Sequence, residues 1–246
     1  MINKKTETKK ISIFTISILA LFIFMLSSQI DAQPTGIEIS DNITETAGET
    51  EPAVREDEGG TINTLILDVL QQNPRWKAYV GNLTGVLALD DALGQSIFRW
   101  ELGDEDVTGN IFITRSDDVD WSIVECPTEE IIEGEDTFLG FSSNAADNIN
   151  RTFNETIHPE IYIGLMPIEE NTCRSTSTFV SDEQQDQSTA DFPLILLSSN
   201  TDIIYATPIN KGTQSFNQER QVDFQTIVPD QVGGLTTYYF YAEISS

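Results

Sequence analysis

One histidine, two cysteines, three methionines and only two lysines after position 10 leave this 246-residue chain poor in the side chains on which most catalytic and metal sites depend. Without a Cys-x-x-Cys or His-x-x-x-His spacing, Cys126, Cys173 and His158 make a poor zinc ligand set. There is no Gly-x-Ser-x-Gly elbow, no His-Glu-x-x-His and no glycine loop to cradle phosphate. A Ser-His-Asp set would have to use His158, and nothing in the residues around it favours that role. Pairs of carboxylates occur throughout so acidic a chain, so their presence carries almost no information about glycoside hydrolysis. No enzyme is expected, and no cofactor is implied.

Basic residues are scarce as well. The formal net charge is -27, and four of the 13 bases are Lys4, Lys5, Lys9 and Lys10. Residues 33–246 keep 9 bases against 38 acids, a net charge near -29. Such a field repels nucleic acid and anionic lipid headgroups, attracts cations, and suits a medium whose salt screens self-repulsion. A nucleic-acid partner is excluded on this ground.

Long apolar runs are absent apart from one. Lys9-Lys10 precedes an uncharged stretch, residues 11–26, with positive charge on the side expected to stay inside. Residues 1–32 therefore read as an export segment. A signal peptide cleaved behind Ala32 is the first reading. An uncleaved N-terminal membrane anchor is the second, because extension through Ile30 reaches about 20 residues. Either places the rest of the chain outside the cell or on its surface, with membrane contact only through residues 11–30.

Export changes the meaning of the remaining motifs. Four Asn-x-Ser/Thr glycan acceptors occur, at Asn42, Asn82, Asn150 and Asn154, none with proline in the middle position. The last two lie four residues apart, as if on one exposed loop. In an oxidising compartment a disulfide is the natural reading of Cys126 and Cys173, with a metal site as the weaker competitor.

Residues 33–58, rich in Glu, Thr and Gly, read as an acidic, disordered and solvated linker. Residues 59–246 then form a β-rich extracellular domain. Thr61–Leu70 fits a strand or a short helix, stopped by Pro74. Residues 75–91 read as a hairpin: Trp76, Ala78 and Val80 face a core, 81–85 turn, and 86–89 run back to Asp90-Asp91. Further strands are expected at 96–101, 109–114, 121–126, 160–165, 176–180, 194–198, 203–207, 222–228 and 235–244. Along the last, Thr236, Tyr238, Phe240 and Ala242 share one face and Tyr239 and Tyr241 the other, which suits a strand covered on both sides. Many short strands at roughly even spacing indicate an all-β, antiparallel, sandwich-like fold.

Acidic turns are the remaining candidates for chemistry. Asp104, Asp106, Thr108 and Gly109 match the start of an EF-hand loop, but Arg115 stands where the bidentate Glu belongs. A looser, weak Ca²⁺ site at Asp104, Asp106 and Asn110, or at Asp117, Asp118 and Asp120, is weighed against a plain solvated turn, and the turn outweighs it. Trp76, Trp100 and Trp121 could stack on sugars but read more readily as packing residues.

The run Arg75-Trp-Lys-Ala-Tyr-Val-Gly-Asn-Leu-Thr-Gly-Val-Leu-Ala-Leu-Asp-Asp91, with Phe98-Arg-Trp100, Asp120-Trp-Ser-Ile-Val-Glu-Cys126, Phe138-Leu-Gly-Phe141 and Thr236-Thr-Tyr-Tyr-Phe-Tyr-Ala-Glu243, resembles a group of uncharacterised exported surface proteins of archaea. The resemblance spans most of residues 62–244. It implies a β-rich protein of the cell envelope, with Cys126 structural and no catalytic residues to carry over. The expected function is a non-enzymatic envelope or surface-appendage component that assembles with itself or with other surface proteins. A ligand- or glycan-binding surface module is the alternative, and a secreted hydrolase a distant third.

Overall fold

The computed structural model describes residues 33–44, 73–83, 86–90, 96–101, 107–231 and 233–245. The expected export segment, residues 1–32, residues 45–58 of the expected linker, Thr61–Leu70, Asp104 and Asp106 lie outside these. No helix among the described residues is long and apolar enough to cross a membrane.

The fold is all-β and antiparallel. Its strands are, in chain order, β1 (Thr35–Gly36), β2 (Trp76–Gly81), β3 (Val86–Asp90), β4 (Ser96–Glu101), β5 (Thr108–Thr114), β6 (Ile161–Ile163), β7 (Met166–Ile168) and β8 (Ser175–Ser177). There follow β9 (Phe179–Val180), β10 (Glu183–Gln184), β11 (Pro193–Ser199), β12 (Asp202–Pro208), β13 (Thr213–Gln214), β14 (Gln221–Val222), β15 (Phe224–Pro229) and β16 (Tyr239–Ser245). Two α-helices, α1 (Glu129–Leu139) and α2 (Ile149–Thr152), interrupt them.

Six strands make the central sheet, in the order β1-β16-β5-β12-β11-β8. Alternation along its strands sends side chains to two cores. Ile111, Ile113, Leu194, Leu196, Ile203, Tyr205 and Ala242 point to one face, which is covered by α1, α2 and the β2–β15 pair. Phe112, Ile195, Leu197, Ile204 and Ala206 point to the other, against Trp121, Val124, the β6–β7 hairpin and Cys173. The expected faces of the last strand hold: Phe240 and Ala242 pack on the first core and Tyr241 on the second. Gly109 lets β5 approach β16 closely. It sits at a φ of 131°, and a Cβ there would lie 1.9 Å from the Glu243 carbonyl oxygen.

The structure corrects the sequence reading in four places. The hairpin of residues 75–91 does not form. β2 pairs with β15, Trp76 opposite Pro229 and Gly81 opposite Phe224, while β3 pairs with β4. Leu83 is buried, and its amide donates to Asp223 Oδ2 at 2.8 Å, so this bend is pinned into the fold and does not sit at a free tip. Ala78 is exposed, whereas Trp76 and Val80 are half-buried and packed. Residues 121–126 contain a short 3-10 helix, Trp121–Ile123, capped by Asp120, with one isolated bridge at Glu125.

Helix α1 was hidden by its acidic composition, although its caps are regular. The Thr128 side chain accepts from the Ile131 amide, Glu129 and Glu130 occupy the first turn, and Gly140 ends it in the left-handed conformation. Finally, the linker is not solvated throughout. Thr35 and Gly36 pair with Ala242 and Tyr241, Pro34 is buried, and Ile37 packs on the first core.

Trp76 ties β2 to the helical cover. Its ring lies 6.3 Å from both Phe141 and Phe153, and its indole N–H donates to the Asp147 carbonyl at 2.8 Å. Replacing Trp76 with Ala is expected to cost about 3 kcal/mol of stability. Chemical denaturation of the two proteins measures the difference, and an unchanged midpoint would exclude Trp76 from the core.

Candidate functional site

The most distinctive surface is the sheet edge made by β1 and β16. The Ile37 amide continues the ladder past β1, donating to the Phe240 carbonyl at 3.0 Å. Beside this ladder lies an open groove of about 220 Å³, bounded by Gly36, Ile37 and Ile39 on one side and residues 238–241 on the other. Ile39 is 62% exposed and Tyr239 38%, so the groove presents apolar surface at a place where a strand edge meets solvent. Tyr79 stacks edge-on against Phe240 at 5.1 Å, which fixes the β16 aromatics from beneath.

Buried ionisable groups cluster elsewhere, and several of them hold elements together. Arg115, at the end of β5, forks onto Glu135 of α1 at 2.7 and 2.5 Å and lies 3.8 Å over the Phe138 ring. The Glu135 hydrogen bond raises the guanidinium pKa against the opposing effect of burial. Asp136, pushed above the usual carboxylate range by burial, accepts the Ile149 amide at 2.9 Å and so ties α1 to the first turn of α2, which Asn148 caps through the Arg151 amide. Asp223 accepts from Leu83 and Gly212 and pairs with Lys211 at 3.4 Å; Lys211 in turn donates to the Leu83 carbonyl. Tyr205 keeps its hydroxyl in the first core with no hydrogen-bond partner, and burial raises the phenol well above its ordinary range. In this arrangement the carboxylates accept from protein donors and act as clips between elements.

Cys126 and Cys173 stand at disulfide distance, with Cα atoms 5.0 Å apart. His158 supports that site, a role that sequence reasoning missed. It is buried, and its Nε2 accepts from the Thr172 and Cys173 amides at 3.1 and 2.9 Å, while Nδ1 lies 2.7 Å from the Pro159 carbonyl. Two donors on Nε2 fix the neutral ring with its proton on Nδ1. The ring replaces two backbone acceptors for a segment that has no strand partner. The only sequence signal was a lone histidine fifteen residues before a cysteine.

The other predicted site residues are dispersed. Asn110 lies in β5, and its amide donates to the Tyr162 carbonyl at 3.2 Å, holding the β6–β7 hairpin. Asp120 caps the short helix through the Ser122 amide, and Asp117 and Asp118 are exposed. No group of three or more His, Cys, Asp and Glu is placed to hold a metal ion among the described residues. Of the glycan acceptors, Asn42, Asn82 and Asn154 are exposed. Asn150 instead sits in α2, its amide donating to Glu129 Oε2 at 3.0 Å, so the two neighbouring acceptors do not share one open loop.

Compared with protein-family models, with curated proteins and with solved structures, the chain matches none of them.

Burial holds the His158 pKa below its ordinary value of 6.5, outweighing the hydrogen bond to Pro159 and the nearby Glu170. The unfolded chain therefore takes up this proton at a higher pH than the folded one. The stability His158 contributes is full above pH 6.5 and falls as pH drops through the folded value. His158→Gln, which keeps an acceptor without titrating near neutrality, is expected to flatten the stability curve between about pH 7 and 5 relative to the parent chain. Thermal denaturation across that range checks it, and parallel curves would show that His158 does not titrate with folding.

Proposed function

We propose that the protein is a non-enzymatic component of the outer cell surface, exported by residues 1–32 and built to assemble with copies of itself or with other envelope proteins. The observation that carries this reading is the β1–β16 edge: a strand close behind the export segment closes a sheet edge and leaves an apolar groove open beside it. The clipping of buried Glu135, Asp136, Asp223 and His158 into structural bonds supports a framework role. High acidity fits a surface in contact with salt or divalent cations, and the Cys126–Cys173 pair fits an oxidising compartment. The resemblance to exported archaeal surface proteins points the same way.

Assembly is tested by sedimentation of the exported, full-length protein as salt rises from about 0.1 to 1 M, over which the screening length shrinks from about 10 to 3 Å. Multimers that grow with salt and protein concentration are expected. A monomer under every condition would overturn the proposal. Glycosylation gives an independent check. An acceptor must be reachable, so glycopeptide mapping is expected to find sugar on Asn154 and not on Asn150, whose amide is held by Glu129 within a helix. Occupancy of Asn150 alone would contradict this placement.

A further inference from the structure

The β1–β16 pairing has a feature that sets it apart from the other ladders of the central sheet. Within the described residues the backbone bonds of the 35–37 segment run to β16, while about 40 residues of chain separate Gly36 from Trp76. That length spans up to about 130 Å when extended, several times what is needed to reach a neighbouring molecule. Covalent connection therefore does not require β1 to lie on its own sheet. The same hydrogen bonds, and the same seat for Ile37 in the first core, are available to β1 of another copy.

Resting on the proposed assembly role, we propose that this segment is exchanged between copies: β1 of one molecule lies on β16 of the next. The occupant of the edge is thus a second copy of this chain. Three observations favour it. β1 precedes every other described strand in the chain, so it can leave without breaking another ladder of the sheet. A bare β16 would present Tyr239 and Tyr241 along an unpaired edge, which is the kind of template that recruits a strand. Ile39 and Tyr239, which border the groove, stay substantially exposed when β1 is docked, and in an exchanged assembly they lie at the junction of two copies. A donor strand passed from each copy to the next closes as a reciprocal pair or a ring, or runs on as a chain.

The test uses the register. Thr35 stands opposite Ala242. Exported Thr35→Cys and Ala242→Cys proteins, each keeping the Cys126–Cys173 pair, are mixed at about 1 M salt and oxidised gently. A covalent heterodimer is expected, and the double variant is expected to give a ladder of linked copies. A double variant bridged only within monomers, with no heterodimer from the mixture, would overturn exchange. If cross-linking fails in that way, multimers of the unmodified protein at the same salt would place assembly on another surface, whereas monomers alone would remove both readings. Because a cysteine at Ala242 enters the core, a second measurement leaves the chain unaltered. An excess of synthetic peptide covering residues 33–44 is expected to cap the β16 edge and abolish multimers, and multimers that persist under saturating peptide would count against exchange.

Discussion

A sheet that must be dry on both faces governs this structure. Every residue of β11, Pro193–Ser199, is buried, and its immediate neighbour β12 is buried at all but its end residues. A strand of that kind buries apolar side chains in both directions, each Leu or Ile gaining roughly 1.5–3 kcal/mol on leaving water, and it leaves no face for solvent. Two covers are then obligatory. One is built from α1, α2 and the β2–β15 pair, the other from the Trp121 segment, the β6–β7 hairpin and the Cys126–Cys173 region.

The covers are short, irregular and acidic, and their apolar contacts with the sheet are joined by polar ones. Charged and polar side chains clip them to the sheet. Arg115 reaches from β5 to Glu135 on α1, and Asn110 and Glu243 reach from β5 and β16 to the β6–β7 hairpin, Glu243 by accepting from the Gly164 amide. Asp223 and Lys211 hold the bend after β2, and His158 holds the chain before Cys173. Buried polar groups of this sort stabilise only when each is paired, which explains why these carboxylates serve as acceptors inside the framework.

How much of this the sequence disclosed follows from the range of the interactions. Strands 193–199, 202–208 and 239–245 were legible because each carries a continuous apolar run or a clean alternation that any sheet would bury. Pairing was not. Gly81-Asn-Leu-Thr-Gly85 has the composition of a turn, yet β2 pairs with β15, about 150 residues away, through contacts that no local pattern encodes. Helix α1 was missed because EEIIEGEDTFL carries a central Gly and few large apolar residues, so its only signals lay at its ends: the capping Thr128, the first-turn Glu129 and Glu130, and Gly140. The N-terminal strand was read as linker because two ladder residues and Ile37 are too few to raise a hydrophobic pattern above a polar background. The candidate edge was therefore invisible in the sequence, whereas the cysteine pair was found by simple elimination.

Closure of the sheet at β1 is where the architecture bears on the proposed assembly, since every other strand of the central sheet except the short β8 is flanked on both sides. Whether β1 comes from the same copy or another, β16 is an interior strand only while that segment is in place. Hydrogen exchange of the full chain, followed at the Ile37 amide alongside the amides of β5, tests this most directly. A sheet closed by its N-terminal strand predicts that the Ile37 amide is protected for as long as its bond to the Phe240 carbonyl persists, exchanging far more slowly than an exposed amide. Exchange of Ile37 at the rate of an unstructured chain, with β5 still protected, would show that the edge is open and would contradict it.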